Sequence, residues 1–284
     1  MNARTHFAQH PLGTGAAPEW ASEWGEDRFG VFAGFEVGGV TQIMRWIPQG
    51  SFTMGSPVDE PERWDGESPQ HRVMFHSGFW LADTACTQEL WRVVMGDAPS
   101  RFEGNIRPVE RVSWHEVERF FVLVNEAVPG LDLSLPSEAQ WEYACRAGTT
   151  TAFNFGDVID ATRANFERNY PFDRGDQGAR PETVNVATFA PNSWGLHEMH
   201  GNVWEWCQDM FHPDYRGAPD DGTAWLETGG KRRRGAKDTR GAGRVLRGGS
   251  WDDSARSCRS AYRDADDPDA RGSDIGFRCA RVQA

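Results

Sequence analysis

No apolar run in these 284 residues approaches the ~20 needed to span a bilayer. The first twenty, MNARTHFAQHPLGTGAAPEW, lack the apolar core of a secretory signal, so the cytoplasm is the expected compartment. No C-x-x-C pair occurs among Cys86, Cys145, Cys207, Cys258 and Cys279. That excludes a zinc ribbon, and an odd number at irregular spacing does not point to a disulfide framework. Positive charge is also scarce, with a formal net charge of −12. Nucleic acid and anionic membrane both require a positive field, so neither is an expected partner. The run Lys231, Arg232, Arg233, Arg234 is a local exception that reads as a solvated loop among glycines. No heptad run marks an oligomeric state.

What is present is aromatic bulk and many turns. Thirteen Trp and seventeen Phe supply ample core, while thirty-one Gly and sixteen Pro favour irregular connections over long helices. Residues 1–28 read as an irregular segment, and 29–284 as one domain. Gly30 to Met54 reads as strands with Gly38-Gly39 a hairpin turn. Asp59 to Pro69 is a charged loop, His71 to Ala82 alternates as strands do, and Gln88 to Met95 is a short helix. Ser113 with Glu116 forms a capping box before the apolar face Val117, Phe120, Phe121 and Val124. Ser137 with Gln140 repeats it before Trp141, Ala144 and Cys145, and Gly148 is the expected C′ glycine. No helix is expected after Gly148.

Two stretches carry the functional signal. The first runs from Arg244 to Arg281, where strand signals at Val245-Leu246 and Ile275-Gly276-Phe277 enclose a long polar segment. Arg256, Arg259, Arg263, Pro268 and Arg271 punctuate it. The intervening positions are small or polar: Asp252, Asp253, Ser254, Ser257, Tyr262, Asp264, Ala265, Asp266, Asp267, Ala270, Gly272, Ser273 and Asp274. A long polar loop between buried strands is usually functional. The plain alternative is a solvated loop shaped by its arginines.

The second stretch is GLHEMHGNVWEWCQD, Gly195 to Asp209. Glu205 lies between Trp204 and Trp206, and a carboxylate so placed needs a cation or donors. Turn carbonyls plus Glu205 would suit Ca²⁺, and bonding to backbone N–H groups is the equal alternative. His197 and His200, three apart, have ligand chemistry but no third partner in view, which favours a role at the loop surface.

These segments resemble the formylglycine-generating enzyme (sulfatase-modifying factor) family from about Arg45 to Arg281. The ordered matches are IPQGSFTMGS, RPVERVSWHEVERF, LSLPSEAQWEYACRAG, APNSWGLHEMHGNVWEWCQD and RVLRGGSW…GFRCAR. The resemblance implies an α+β C-type lectin fold: a twisted mixed sheet, two helices and much irregular structure. It implies structural Ca²⁺ at Glu205 with backbone oxygens of His200, Gly201 and Val203. A second site is implied at Asn165 and Phe166, with Asp173 or Asp176 as the downstream acid. Because the corresponding cysteines are bridged in some members, Cys145 and Cys279 are expected to lie close.

The sequence departs from the catalytic members at one place. Those members bind Cu(I) through two cysteines just beyond the GGS turn, because soft thiolates select that ion. Here Asp252, Asp253 and Ser254 stand where the first is expected and Cys258 alone remains, so copper is not expected. The ending also resembles the variable proteins of diversity-generating retroelements, whose adenine-directed mutation never yields Lys, Glu, Gln, Met or Trp. The thirteen intervening positions hold only permitted types, although ordinary turn chemistry also enriches Asp, Ser and Gly.

The expected function is therefore a non-catalytic display protein. Residues 251–274 would bind an unknown protein or other macromolecule, with Trp251 and Tyr262 as aromatic anchors. The aspartates favour a basic or polar partner. A formylglycine-generating oxidase is the alternative. A non-haem iron sulfoxide synthase ranks last, because the chain before Arg45 is too short for the helical domain such enzymes carry.

Overall fold

The computed structural model describes residues 17–167, 181–227 and 243–282. Asp173, Asp176 and the basic run Lys231 to Arg234 lie outside the described residues.

The first sheet has five strands in the order β1-β2-β3-β6-β11. They are β1 Glu23–Asp27, β2 Gly30–Val37, β3 Val40–Ile47, β6 Phe79–Ala82 and β11 Ala280–Val282. β2 and β3 form the expected hairpin. Val37 pairs with Val40, and the intervening Gly38 and Gly39 have φ of +55° and +82°, which glycine tolerates without penalty. The sheet begins earlier than its sequence promises. Glu23–Asp27 pairs antiparallel with Gly30–Gly34 and Trp20 is buried, so residues 17–28 are not an irregular leader. With no β-branched residue, β1 owes its form to the ladder offered by β2 rather than to propensity.

β4 Gly50–Met54 and β5 His71–Phe75 make a two-stranded ribbon. The remaining sheet runs β10-β7-β8-β9, with β7 Trp204–Met210, β8 Arg244–Arg247, β9 Arg263–Asp266 and β10 Ile275–Gly276. β10 pairs parallel to β7, and the other pairings are antiparallel. β9 corrects the expectation of a continuous loop, for the segment RDAD pairs residue by residue with β8.

Three α-helices occur among the described residues, one more than the family resemblance implied: α1 Gln88–Met95, α2 Trp114–Ala127 and α3 Glu138–Arg146. All have side-chain N-caps. Ser113 and Glu116 close the box on α2, as Ser137 and Gln140 do on α3. α3 ends at Arg146 with Ala147 as a left-handed C-cap at φ +45°, and Gly148, at φ +91°, follows in the expected C′ position. No helix follows Gly148 among the described residues.

The helices sort the core. α1 and α2 pack Trp91 against Phe120 in a stack of 5.6 Å, with the Phe277 ring edge-on to both. α3 is different, since every residue on it is buried, including Glu138, Glu142 and Arg146. An α-helix with charges buried all round must bring counter-charges with it, and the C-terminal segment supplies them.

Candidate functional site

Two glycines set the course of the segment after β8. Gly248 and Gly249 have φ of +100° and +70°. A Cβ on Gly249 would stand 2.8 Å from the Cys258 sulfur, so the chain can double back this closely only on glycine.

Arginines then pin the segment from beneath. Arg259 is fully buried and reaches Glu60 and Glu67 at 2.5 Å each. Arg263 forks onto Glu138 at 2.7 and 2.6 Å. Arg247 pairs with Glu142, whose other oxygen holds Arg146 at 2.9 Å. Arg278 forks onto Glu205 at 2.6 and 2.7 Å. Removing one partner of such a buried pair typically costs ~3–5 kcal/mol, which fixes the backbone around Arg259, Arg263 and Arg278. Sequence reading singled out Arg259 and Arg263 as punctuating the segment but not Arg247 or Arg278. It missed Glu60, Glu67, Glu138 and Glu142, which lie far along the chain and carry no local signal.

Between the pins the side chains open outward. Asp252, Asp266 and Asp267 are exposed. Trp251, Asp253, Ser254, Tyr262, Asp264, Ala265, Ala270, Gly272, Ser273 and Asp274 are half-buried. Ser257 is the exception, 7% exposed and hydrogen-bonded to Tyr262, so it packs beneath the face rather than lying on it. Trp251 donates its indole N–H to the Ser273 carbonyl at 3.1 Å and meets Phe102 edge-on at 5.3 Å. The Tyr262 ring tilts against Trp204 at 6.0 Å and Trp64 at 6.5 Å, with the Arg256 and Arg259 guanidinium groups each 5.7 Å from its centroid. Both aromatic anchors are thus held rigidly.

The face is acidic. Burial raises the Asp253 carboxyl above its ordinary value; the donors Ser250 and Trp204 oppose the shift, and Asp274 and Asp264 add to it. Burial likewise raises Asp274, with Asp252 and Asp266 adding to it. Close carboxylates of one sign attract a cationic partner and repel an acidic one.

Of Asp252, Asp253 and Ser254, which stand where the first thiol is expected, Asp253 is held by two donors. Asp253 Oδ2 accepts the Ser250 hydroxyl at 2.5 Å and the Trp204 indole N–H at 2.7 Å. Cys258 is fully buried, and burial, Asp253 and Cys145 push its thiol well above the usual range. One sealed, protonated thiol beside a carboxylate does not fit Cu(I).

The implied Ca²⁺ sites fare differently. Glu205 is 1% exposed; its Oε2 accepts from Trp141 at 2.7 Å as well as from Arg278, and Arg278 already neutralises its charge. The Gly201 carbonyl accepts the Val203 N–H at 3.1 Å. The partners of the Glu205 carboxylate are thus the Arg278 guanidinium and the Trp141 indole N–H rather than the backbone N–H groups of the expected alternative, and a carboxylate so neutralised does not fit a dication. Asn165 does fit one. It is 1% exposed, and its Oδ1 is a buried acceptor with no hydrogen-bond partner among the described residues. Phe166 follows it at 3% exposure.

Two further expectations are corrected. Cys145 and Cys279 are not bridged: all five cysteines are free. Cys145 packs against His200 and Ser260, both 3.7 Å from its sulfur, whereas Cys279 acts on the Cys86 thiol. His200 is not at the loop surface. It is 3% exposed, bonded to the Cys258 carbonyl at 2.7 Å and flanked by Phe153 and Phe155. His197 instead bonds the Phe189 carbonyl at 2.9 Å. No cluster of three metal-ligating side chains occurs among the described residues, and no helix there is long and apolar enough to cross a membrane.

Comparison with known proteins agrees with this architecture. The chain is 33% identical to the formylglycine-generating enzyme of Streptomyces coelicolor over 239 residues, 78% of this chain and 70% of that one. It also matches a serine/threonine-protein kinase, pkn1, of Chlamydia pneumoniae at 26% identity, spanning only 37% of that protein's length. Among solved structures it is similar to PvdO from Pseudomonas aeruginosa, with a TM-score of 0.73 and 27% identity, covering 94% of this chain and 100% of that one. Variable protein 1 of Treponema denticola superposes with a TM-score of 0.66 at 26% identity, covering 89% and 99%. The fold is the α+β C-type lectin variant expected of these relatives. The model of the sulfatase-modifying factor enzyme 1-like domain matches residues 29–283, and the chain belongs to the sulfatase-modifying factor, or formylglycine-generating enzyme, family.

Proposed function

We propose that the chain is a non-catalytic binding protein that presents residues 251–274 as its ligand surface. One observation carries this reading. The buried pairs of Arg259, Arg263 and Arg278 fix the backbone of the segment, while twelve of the thirteen small or polar positions between them remain exposed or half-buried. A fixed backbone lowers the ordering cost of association, so contacts from Asp, Ser and Tyr side chains suffice for useful affinity. The similarity to the Treponema denticola variable protein supports the same reading. Family membership favours a second one, oxidation of a substrate cysteine. That chemistry needs a copper-binding thiol pair, which Asp253 and the sealed Cys258 do not supply.

The deciding experiment replaces Asp252, Asp264, Asp266 and Asp267 together by Ala and measures capture of a peptide-display library. Display requires that the wild type select sequences which the variant no longer binds, with the Tm of the variant within a few degrees of wild type. Selection that survives the replacement, or none by the wild type, overturns the reading.

A further inference from the structure

The β4–β5 ribbon has one closed edge and one open one. The Met74 N–H points away from β4 and donates to the Asp220 carbonyl at 2.8 Å, so Met74 and its cross-strand partner Ser51 share no backbone hydrogen bond. The same alternation holds two residues on, at Arg72 and Thr53. The backbone groups of Ser51 and Thr53 therefore face outward from the ribbon. Gly55, next in that row, is satisfied by α3: its N–H donates to Glu142 at 3.0 Å and its carbonyl accepts from Arg146 at 3.1 Å. The N–H and C=O of Ser51 and Thr53 have no partner among the described residues.

These groups open into a groove of about 360 Å³. The rest of its lining comes from the last turn of α3, from Gly148 to Thr150 just beyond it, and from Trp194. Trp194 is half-buried and meets Tyr143 edge-on at 4.9 Å, which leaves it as apolar surface for a side chain. A groove bounded on both sides takes a lone strand, whereas the edge of a second folded copy would bring a sheet behind it. Arg146 is the one charged residue in the lining, 4% exposed. Its guanidinium donates to Glu142, Thr151 and Gly55, leaving two of its five N–H groups without an acceptor among the described residues. The nearby carboxylates of Glu142 and Glu60 are also held by Arg247 and Arg259. Beside the groove, exposed Arg72 donates to the Ser51 hydroxyl at 2.9 Å.

We propose that this groove takes an extended acidic peptide segment as a third strand of the ribbon. Ser51 and Thr53 each offer its backbone one donor and one acceptor, which is the pattern of strand addition. Arg72 and Arg146 match a carboxylate on the incoming strand. Ser51 to Thr53 spans roughly 7 Å of strand, room for about three residues. The acidic face lies on other elements and suits a partner of the opposite charge, so neither reading depends on the other.

So short a ladder gives a dissociation constant on the order of 0.1 mM, too weak for capture from a display library. The probe is therefore the acetylated, amidated pentapeptide Thr-Val-Glu-Val-Thr, titrated to millimolar concentration into the full chain and followed by amide NMR. The signals of Ser51 and Thr53 should shift and saturate, and those of Asp266 and Asp267 on the acidic face should not. Lysine in place of the peptide's glutamate should weaken binding at least about tenfold. Thr53→Pro removes an outward N–H at an edge position that tolerates proline, and should weaken binding at least as much. Ser51 and Thr53 signals that stay fixed overturn the proposal, as does a lysine peptide that binds equally well. So does unchanged binding by a folded Thr53→Pro protein.

Discussion

The Asp253 carboxylate accepts the Trp204 indole N–H at 2.7 Å, joining the polar segment to β7. The same oxygen holds the Ser250 hydroxyl, and Asp253 is among the charged neighbours of the Cys258 thiol. The departure from the catalytic pattern is therefore an integrated replacement with its own bonds. Wild-type protein should not compete for Cu(I) with bicinchoninate. Asp253→Cys, which places a second thiol beside Cys258, should withdraw about one equivalent. Uptake by the wild type, read as loss of the chelate's absorbance, would restore the oxidase reading.

The arginine pins should behave as structure. Arg263 is fully buried, forks onto Glu138 and also donates to the His212 carbonyl at 2.9 Å. Arg263→Met leaves Glu138 buried without its fork and should cost about 3–5 kcal/mol in urea unfolding. Asp266→Ala, three residues on and exposed, should change stability by less than about 0.5 kcal/mol. Equal effects at the two positions would remove the distinction between frame and face.

Calcium, if this chain holds it, should act at Asn165. The orphaned Oδ1 there is a ready oxygen ligand, whereas Glu205 is committed to Arg278. Adding millimolar CaCl2 to chelator-treated protein should raise the Tm by several degrees, because a ligand that binds only the folded state stabilises it by mass action. In Asn165→Ala the increment should vanish. An equal rise in both proteins would place the ion elsewhere.

The sequence disclosed what is local. Both capping boxes and the Gly38-Gly39 hairpin follow from residues within four positions of one another, and each is found as read. β9 was hidden because Arg-Asp-Ala-Asp has no strand propensity; its ladder with β8 and the anchoring of Arg263 on Glu138 decide its form. The Arg259 partners were hidden for a different reason. Glu60 and Glu67 lie nearly two hundred residues away, in what reads as a charged loop. At Glu205 the sequence posed the right question, cation or donors, and the answer came from Arg278, 73 residues further along the chain.

His200 gives the fold an acid-sensitive point. Asn154 donates its backbone N–H to Nε2 at 3.1 Å, so the ring proton sits on Nδ1 and bonds the Cys258 carbonyl at 2.7 Å. Complete burial, with Arg146 as a lesser like-charge cause, lowers its pKa from 6.5 to about 4, against the Cys258 bond, which raises it. A base with a depressed folded value binds fewer protons than the unfolded chain between those limits. Its stabilising effect is therefore complete above about pH 6.5 and is lost as pH falls toward 4. Asp83 and Asp209, raised by burial to about 6 and about 7, act in the opposite sense over much of that window. Comparison with a variant isolates the histidine. His200→Gln keeps a donor and an acceptor but cannot titrate. Between pH 7 and pH 4.5 the wild type should lose roughly 2–3 kcal/mol more unfolding free energy than the variant. Parallel urea-unfolding curves at the two pH values would show that the histidine is not held neutral by its surroundings.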